Sequence, residues 1–300
     1  MYVVFGAAGH TGSVVAETLL ARGKKVRVVA RDIKRLERFT KKGAEPAVAD
    51  ANDAASLGKA FSGAQAVYAL IPPNPSAADV LAYEEQISDA IVSAIEKSGV
   101  KHAVILSSFG ADKQEKTGPV LGLHNFEKKL GVLAQLNALY LRAGYFMENI
   151  LPQVGVIRNM GSMVGPVRAD LPLPMIATRD IGAAAAEALL KLDFQGKRTH
   201  ELLGARDVSY IEVAKAVGVA IGKPDLEYRQ MPAAALKPAL MQMGMSASFV
   251  DLLLEMSDAL NSGYMKALEP RSAGNTTATT IEDFVAEYFV PAYRAHAAHA

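Results

Sequence analysis

Short, nearly continuous apolar runs alternate with longer stretches whose apolar residues recur every three or four positions. The runs Tyr2–Phe5, Val26–Val29, Ala47–Ala49, Ala66–Ile71 and Ala103–Leu106 read as strands. The stretches Gly12–Arg22, Ile33–Lys42, Ala54–Ser62 and Asp79–Ser98 read as helices. A further helix is predicted over Leu123–Leu136, then a strand over Ala138–Leu141. Strands apolar on both faces, separated by helices, predict a parallel sheet covered on both sides. The predicted fold is α/β, a Rossmann-type doubly wound parallel sheet with a smaller, mostly helical substrate lobe. Gly23, Gly43, Gly63 and Gly99 each stand just past a predicted helix, where a left-handed cap suits glycine. Ser76–Asp79, Ser209–Glu212 and Thr280–Asp283 have capping-box spacing.

After about Leu151 the rhythm changes. Pro152, Pro166, Pro172 and Pro174 interrupt a stretch of weak periodicity. Helices then follow over Asp180–Lys191, Tyr210–Ile221, Ala233–Met243 and Ser248–Asn261, with a strand over Thr199–Leu203. This divides the chain into a nucleotide-binding domain, 1–150, and a smaller lobe, 151–300, with segments near 176–204 returning to the sheet. The Ala/His tail Ala295–Ala300 is expected to fray. A length of 300 residues suits two such units.

Composition narrows the function. With no cysteine, a disulfide scaffold, a thiolate metal site and a thiol nucleophile are excluded. A net charge of +1 argues against a protein that coats nucleic acid, so direct nucleic-acid binding is not expected. No run approaches the ~18 apolar residues of a membrane span. The start at Tyr2–Gly6 has no basic lead-in, so a cytoplasmic location is expected. The six histidines form no helical metal pair, and no metal is expected.

The candidate chemistry begins at Gly6-Ala7-Ala8-Gly9-His10-Thr11-Gly12, which joins the first strand to the first helix. Glycines there permit a tight turn, close approach of the backbone to a pyrophosphate, and a helix packed against the sheet. The helix amides and dipole then attract the phosphates. Its position after a buried strand and before an amphipathic helix makes the triad a dinucleotide fingerprint rather than a bare turn. His10 contributes its backbone more than its ring.

The next strand end separates the two nicotinamide cofactors. An acid there holds ribose hydroxyls, whereas arginine accommodates a 2′-phosphate. Arg31 comes first, then Asp32, Lys34 and Arg35; residues 24–42 carry nine basic and two acidic side chains. Ile33, Leu36 and Phe39 are expected to pack inward and leave the basic residues outside. NADP(H) is therefore preferred to NAD(H), beside the simpler reading of a solvated basic face. Asp50 closes the third strand and is placed either beside adenine or as the starting acid of the next helix. Ile71-Pro72-Pro73 gives the fourth strand a stiff exit near the dinucleotide.

These features resemble the NmrA-like branch of the atypical short-chain dehydrogenase/reductase superfamily. The resemblance is carried by the glycine turn, Arg31-Asp32, Leu106-Ser107-Ser108, His124–Lys128 and Leu141–Asn149, and downstream by Ala177–Ile181 and Glu201–Gly204. It implies flavin-free hydride transfer from NADPH to a quinone, or a regulator that binds NADP(H) and acts on a protein partner without turnover. It assigns the pyrophosphate loop to Gly6, Gly9 and Gly12, the 2′-phosphate to Arg31, and the nicotinamide wall to Tyr145, Phe146 and Asn149. Ala143 stands where many relatives have proline. The superfamily Tyr-x-x-x-Lys appears here as His124-x-x-x-Lys128.

His124 and Lys128 share a helix face. Lys128 is the candidate for holding the nicotinamide ribose. His124, with an ordinary pKa near ~6.5, is a candidate proton donor at neutral pH, or else a hydrogen-bonded helix residue. A quinone accepts hydride readily and takes its proton from water, so a site without the tyrosine suits quinones better than alcohols. Ser107 is a candidate for orienting ribose or carbonyl, and Ser108 reads equally as a strand-end turn. No Gly-x-Ser-x-Gly elbow is present. An epimerase retaining bound NAD is the weaker alternative, opposed by Arg31. Methionines 231, 241, 243, 245 and 256 suggest either core packing or a substrate lid.

Overall fold

The computed structural model describes residues 1–295, so the predicted fraying of the last residues lies outside the described part. The first half contains β1 (Tyr2–Phe5), α1 (His10–Ala21), β2 (Val26–Ala30), α2 (Glu37–Thr40), β3 (Glu45–Val48), α3 (Ala54–Phe61), β4 (Ala66–Ala69), α4 (Val80–Ser98), β5 (His102–Ser108), α5 (Val120–Gly131) and β6 (Asn137–Ala143). Then come β7 (Tyr145–Phe146), α6 (Gln153–Met160), β8 (Met163–Gly165), β9 (Leu173–Ile176), α7 (Thr178–Lys191), β10 (Lys197–Leu202), β11 (Asp207–Val208), α8 (Tyr210–Ala220) and β12 (Tyr228–Gln230). Helices α9 (Ala233–Gln242), α10 (Ala247–Asn261), α11 (Ile281–Phe284) and α12 (Val290–Ala295) complete the chain.

Seven strands form one parallel sheet in the order β10-β6-β5-β4-β1-β2-β3. The order reverses between β1 and β4, the switch point of a Rossmann-type sheet. Alternate residues of each central strand enter opposite layers. Val4 and Tyr68 pack with Val15 and Leu19 of α1 and Ile181 and Ala185 of α7. Val3 and Val67 pack with Leu57 of α3, Ile91 of α4 and Phe126 of α5. Burial on both faces is the physical reason these strands are apolar throughout. Much of the second half of the chain gathers around a third core that includes Met147, Val154, Val213 and Phe284.

The element boundaries differ from expectation where local hydrogen bonds intervene. Residues 33–42 do not form one helix. Asp32 caps a 3-10 turn, Ile33–Leu36, and α2 follows for one turn. Leu36 and Phe39 are buried, but Ile33 is 54% exposed and belongs to no inward stripe. Asp79 itself caps α4 by accepting from Ala82 N, while the Ser76 hydroxyl donates to Asn74, so that predicted capping box does not form. The boxes at Ser209–Glu212 and Thr280–Asp283 do form. Helix α5 starts at Val120 behind Pro119, whose fixed φ suits a helix entry, and stops at Gly131. Leu133 and Leu136 then continue the apolar spacing through successive turns.

Candidate functional site

The glycine turn leaves β1 at the switch point. Gly6 has φ +73°, a conformation that favours glycine. Gly9 N donates to Gly6 O at 2.9 Å and closes the turn. A Cβ on Gly12 would stand 2.4 Å from Gly6 O, so only glycine lets α1 start this close to the strand exit. Gly9 is the N-cap of α1 and offers no side chain to its amides. Ala8 is half-buried, and Gly9 and His10 are exposed. The turn thus presents unclaimed backbone donors at the positive end of a helix dipole, which fits a diphosphate.

The Thr11 hydroxyl faces the other way. It accepts from the buried Tyr68 hydroxyl at 2.7 Å, and burial pushes the Tyr68 phenol pKa up. Tyr68 was missed in the sequence because it looks like any aromatic in an apolar strand.

At the end of β2, Arg31 is exposed, with no hydrogen-bond or ion-pair partner among the described residues; the half-buried Tyr83 lies within its field. The Asp32 carboxylate is committed to capping, accepting from Lys34 N at 2.9 Å. The Arg35 guanidinium donates to Ala8 O at 3.3 Å and ties this basic corner to the glycine turn. Asp50 forms a local turn by accepting from Asn52 N at 3.0 Å, and Asp53, not Asp50, caps α3. Ile71 is buried and Pro72 half-buried; Pro72 O accepts from the Tyr83 hydroxyl at 3.0 Å. Gly6, Arg31 and Pro72 thus mark a strip at the carboxyl ends of the adjacent parallel strands β1, β2 and β4.

The other half of that edge follows β5 and β6. Ser107 is buried, and its hydroxyl donates to Glu127 at 2.5 Å. Arg142 grips the same carboxylate through two hydrogen bonds, at 3.0 and 2.6 Å. This buried cluster of Ser107, Glu127 and Arg142 joins β5, β6 and α5 and holds α5 in place. Its members stood in the motifs already quoted, but nothing in their spacing reveals that they meet. Ser108 points elsewhere and donates to Phe109 O at 3.0 Å.

On α5, His124 Nδ1 lies 2.9 Å from Ala111 O, a contact that fits a donating Nδ1–H. In that tautomer Nε2 carries the lone pair, and giving up a proton from it requires the imidazolium. Lys128 is exposed and has no hydrogen-bond partner among the described residues. On the opposite side of α5, Gly122 meets the buried Glu84 of α4. The Glu84 Oε2 has no partner, and burial pushes this carboxyl pKa up to about 8.

Beyond β6, Tyr145 and Phe146 are half-buried and Asn149 is exposed. The turn that follows is fixed by Glu148. Its carboxylate accepts from Thr178 N at 3.0 Å and from the Thr178 hydroxyl at 2.6 Å. Ala177, the N-cap of α7, supplies no side chain, so Glu148 caps that helix from a distance. No group of three or more His, Cys, Asp or Glu side chains stands together among the described residues, and no described helix is long and apolar enough to cross a membrane.

Known proteins share this fold and family. The chain is 27% identical over 258 residues to an NAD(P)H azoreductase of Xenophilus azovorans, covering 85% of this chain and 86% of that one. Its fold matches an NADPH-dependent quinone oxidoreductase of Escherichia coli, solved with NADPH. The TM-score is 0.80 at 22% identity, over 96% of this chain and all of the other. It also matches a Citrobacter triphenylmethane reductase solved with NADP(H), with a TM-score of 0.79 at 20% identity, over 95% and 99% of the two chains. The profile of the NmrA-like family spans residues 2–285, and the chain belongs to that family.

Proposed function

We propose that this chain is an NADPH-dependent reductase that passes hydride directly to quinones or similarly flat acceptors. One observation carries the reading. An open glycine turn stands beside an uncommitted Arg31, while the neighbouring Asp32 is occupied as a helix cap. A 2′-phosphate suits that corner better than a pair of ribose hydroxyls seeking an acid. The names of similar proteins point the same way for the acceptor, since quinones, azo dyes and triphenylmethane dyes are all flat and conjugated.

NADPH supplies the hydride when bound, and reduction of a quinone to a hydroquinone needs one further proton. The unclaimed amides of the glycine turn and of the start of α1 hold the diphosphate, and Arg31 and Arg35 hold the adenosine phosphate. Lys128 is the candidate for the nicotinamide ribose. Tyr145, Phe146 and Asn149 wall the acceptor side. The proton comes from water or from His124 in its charged form. Ser107, bound to Glu127, acts through the placement of α5 rather than on the ligand.

The test is NADPH oxidation by purified protein with a panel of quinones, azo dyes and triphenylmethane dyes. Steady turnover with at least one class is expected. Binding of NADPH with no turnover across the panel defeats the reading. That result favours the alternative, an NADP(H)-sensing regulator that signals through a protein partner. The absence of tyrosine at position 124 and the inward bonding of Thr11 and Ser107 motivate this second reading. It requires a partner whose affinity differs between the NADPH and NADP⁺ states.

A further inference from the structure

The motif that ordinarily carries a phenol has none here, yet three phenols converge just past the carboxyl end of β6. Tyr228 of β12 is pinned through its hydroxyl to Val167 O at 2.9 Å. Gly165 makes room for it, since a Cβ there would meet that hydroxyl at 2.6 Å. The Tyr228 ring stacks on Tyr210, with centroids 4.4 Å apart. Tyr210 is the first residue of α8, whose start is fixed by the Ser209–Glu212 capping box. Its hydroxyl donates to the Tyr145 hydroxyl at 3.2 Å, with the rings edge to face.

The Tyr145 oxygen is therefore an acceptor within the protein, and its own O–H has no acceptor among the described residues. The location gives that proton a destination. Arg31 marks the adenosine end of the strip over β2, so the reactive end of the cofactor extends across β4 and β5 toward β6. Tyr145 follows β6 at that end and is half-buried.

We infer that Tyr145 is a catalytic residue of the proposed reduction, donating a hydrogen bond to the acceptor oxygen or nitrogen that gains negative charge as hydride arrives. The inference rests on the reductase reading above and adds a residue to it. A preset donor aimed at developing charge lowers the barrier because it needs no reorganisation. Tyr210 and Tyr228 are positioning residues. Burial raises the pKa of the Tyr145 phenol, so it keeps its proton, and the product's proton comes from water or His124 as before.

The experiment compares wild type, Tyr145→Phe and Tyr210→Phe with NADPH and the best acceptor of the panel. Tyr145→Phe is expected to lower kcat by about 100-fold. Its NADPH Kd, read by fluorescence titration, stays within about twofold of wild type. Tyr210→Phe is expected to show a smaller loss, and wild-type kcat to show no rise or fall from ionisation of a phenol between pH 7 and 9. If wild type turns over and Tyr145→Phe matches its kcat, the inference fails while the reductase reading stands. A Tyr145→Phe loss matched by an equal loss of NADPH affinity also overturns it, because the ring is then only a wall. Absence of wild-type turnover removes both.

Discussion

Glu84 shows how much one side chain reveals that its sequence position does not. It sits in the second turn of an ordinary amphipathic helix, followed by Glu85, and reads as a surface acid. The fold instead presses it against Gly122 with one oxygen unpartnered, and its carboxyl pKa rises from 4.5 to about 8. A group that holds its proton in the folded state and loses it on unfolding favours folding at low pH. That stabilisation is present in full below about pH 4.5 and declines as pH rises toward 8. Glu84→Gln, which is neutral throughout, is expected to raise the melting temperature more at pH 8 than at pH 5. An equal shift at both values contradicts the burial of an uncompensated carboxyl. The candidate cofactor residues were more legible. The roles proposed for Gly6, Gly9, Gly12 and Arg31 rest on backbone freedom or fixed charge, which depend on the residue and its neighbours. Ser107, Glu127 and Arg142 were opaque, because their meeting is set by the pairing of β5 with β6 and the placement of α5.

Among the elements, central strands read well and small ones did not. The apolar runs within strands β1, β2, β4, β5 and β6 survive without periodicity because both faces of the sheet are covered. Strand β3 is at the sheet edge and largely exposed, and its expected position was shifted by about two residues. Pairs such as β7 with β9 and β8 with β12 are two or three residues long and join distant segments, beyond the reach of any local pattern. Two elements near the site offer direct tests. Glu148→Ala removes the remote cap of α7 and is expected to destabilise the protein by about 1–2 kcal/mol in chemical denaturation. An unchanged midpoint contradicts the capping role. Gly12→Ala forces a Cβ onto Gly6 O, so α1 must move away from the turn. It is expected to abolish measurable NADPH binding in titration calorimetry; retention of wild-type affinity contradicts the close start of α1.

At the scale of the molecule, one parallel sheet supplies the edge on which everything is mounted. The lobe reaches that edge at separate points. Ser248 of α10 accepts from Val80 N at the start of α4, and Ser246 N donates to Pro75 O in the preceding loop. Met231 and Met245 pack with Leu236, Val250 and Leu254 in a small cluster of their own. Met241 and Met243 remain exposed. Methionine in this lobe therefore divides between packing and surface, which composition alone could not separate. The doubly wound class was readable from alternation of strand and helix. The crossing of α1 by α7, where Gly182 comes up against Val14 and Thr11, was not, because it joins segments about 170 residues apart.

The most direct test is a titration of wild type and Arg31→Ala with NADPH and NADH. Wild type should prefer NADPH. Arg31→Ala should weaken NADPH by about 10- to 100-fold and leave NADH within about twofold. Equal loss for both nucleotides, or no loss for either, contradicts the assignment of the adenosine phosphate to the end of β2.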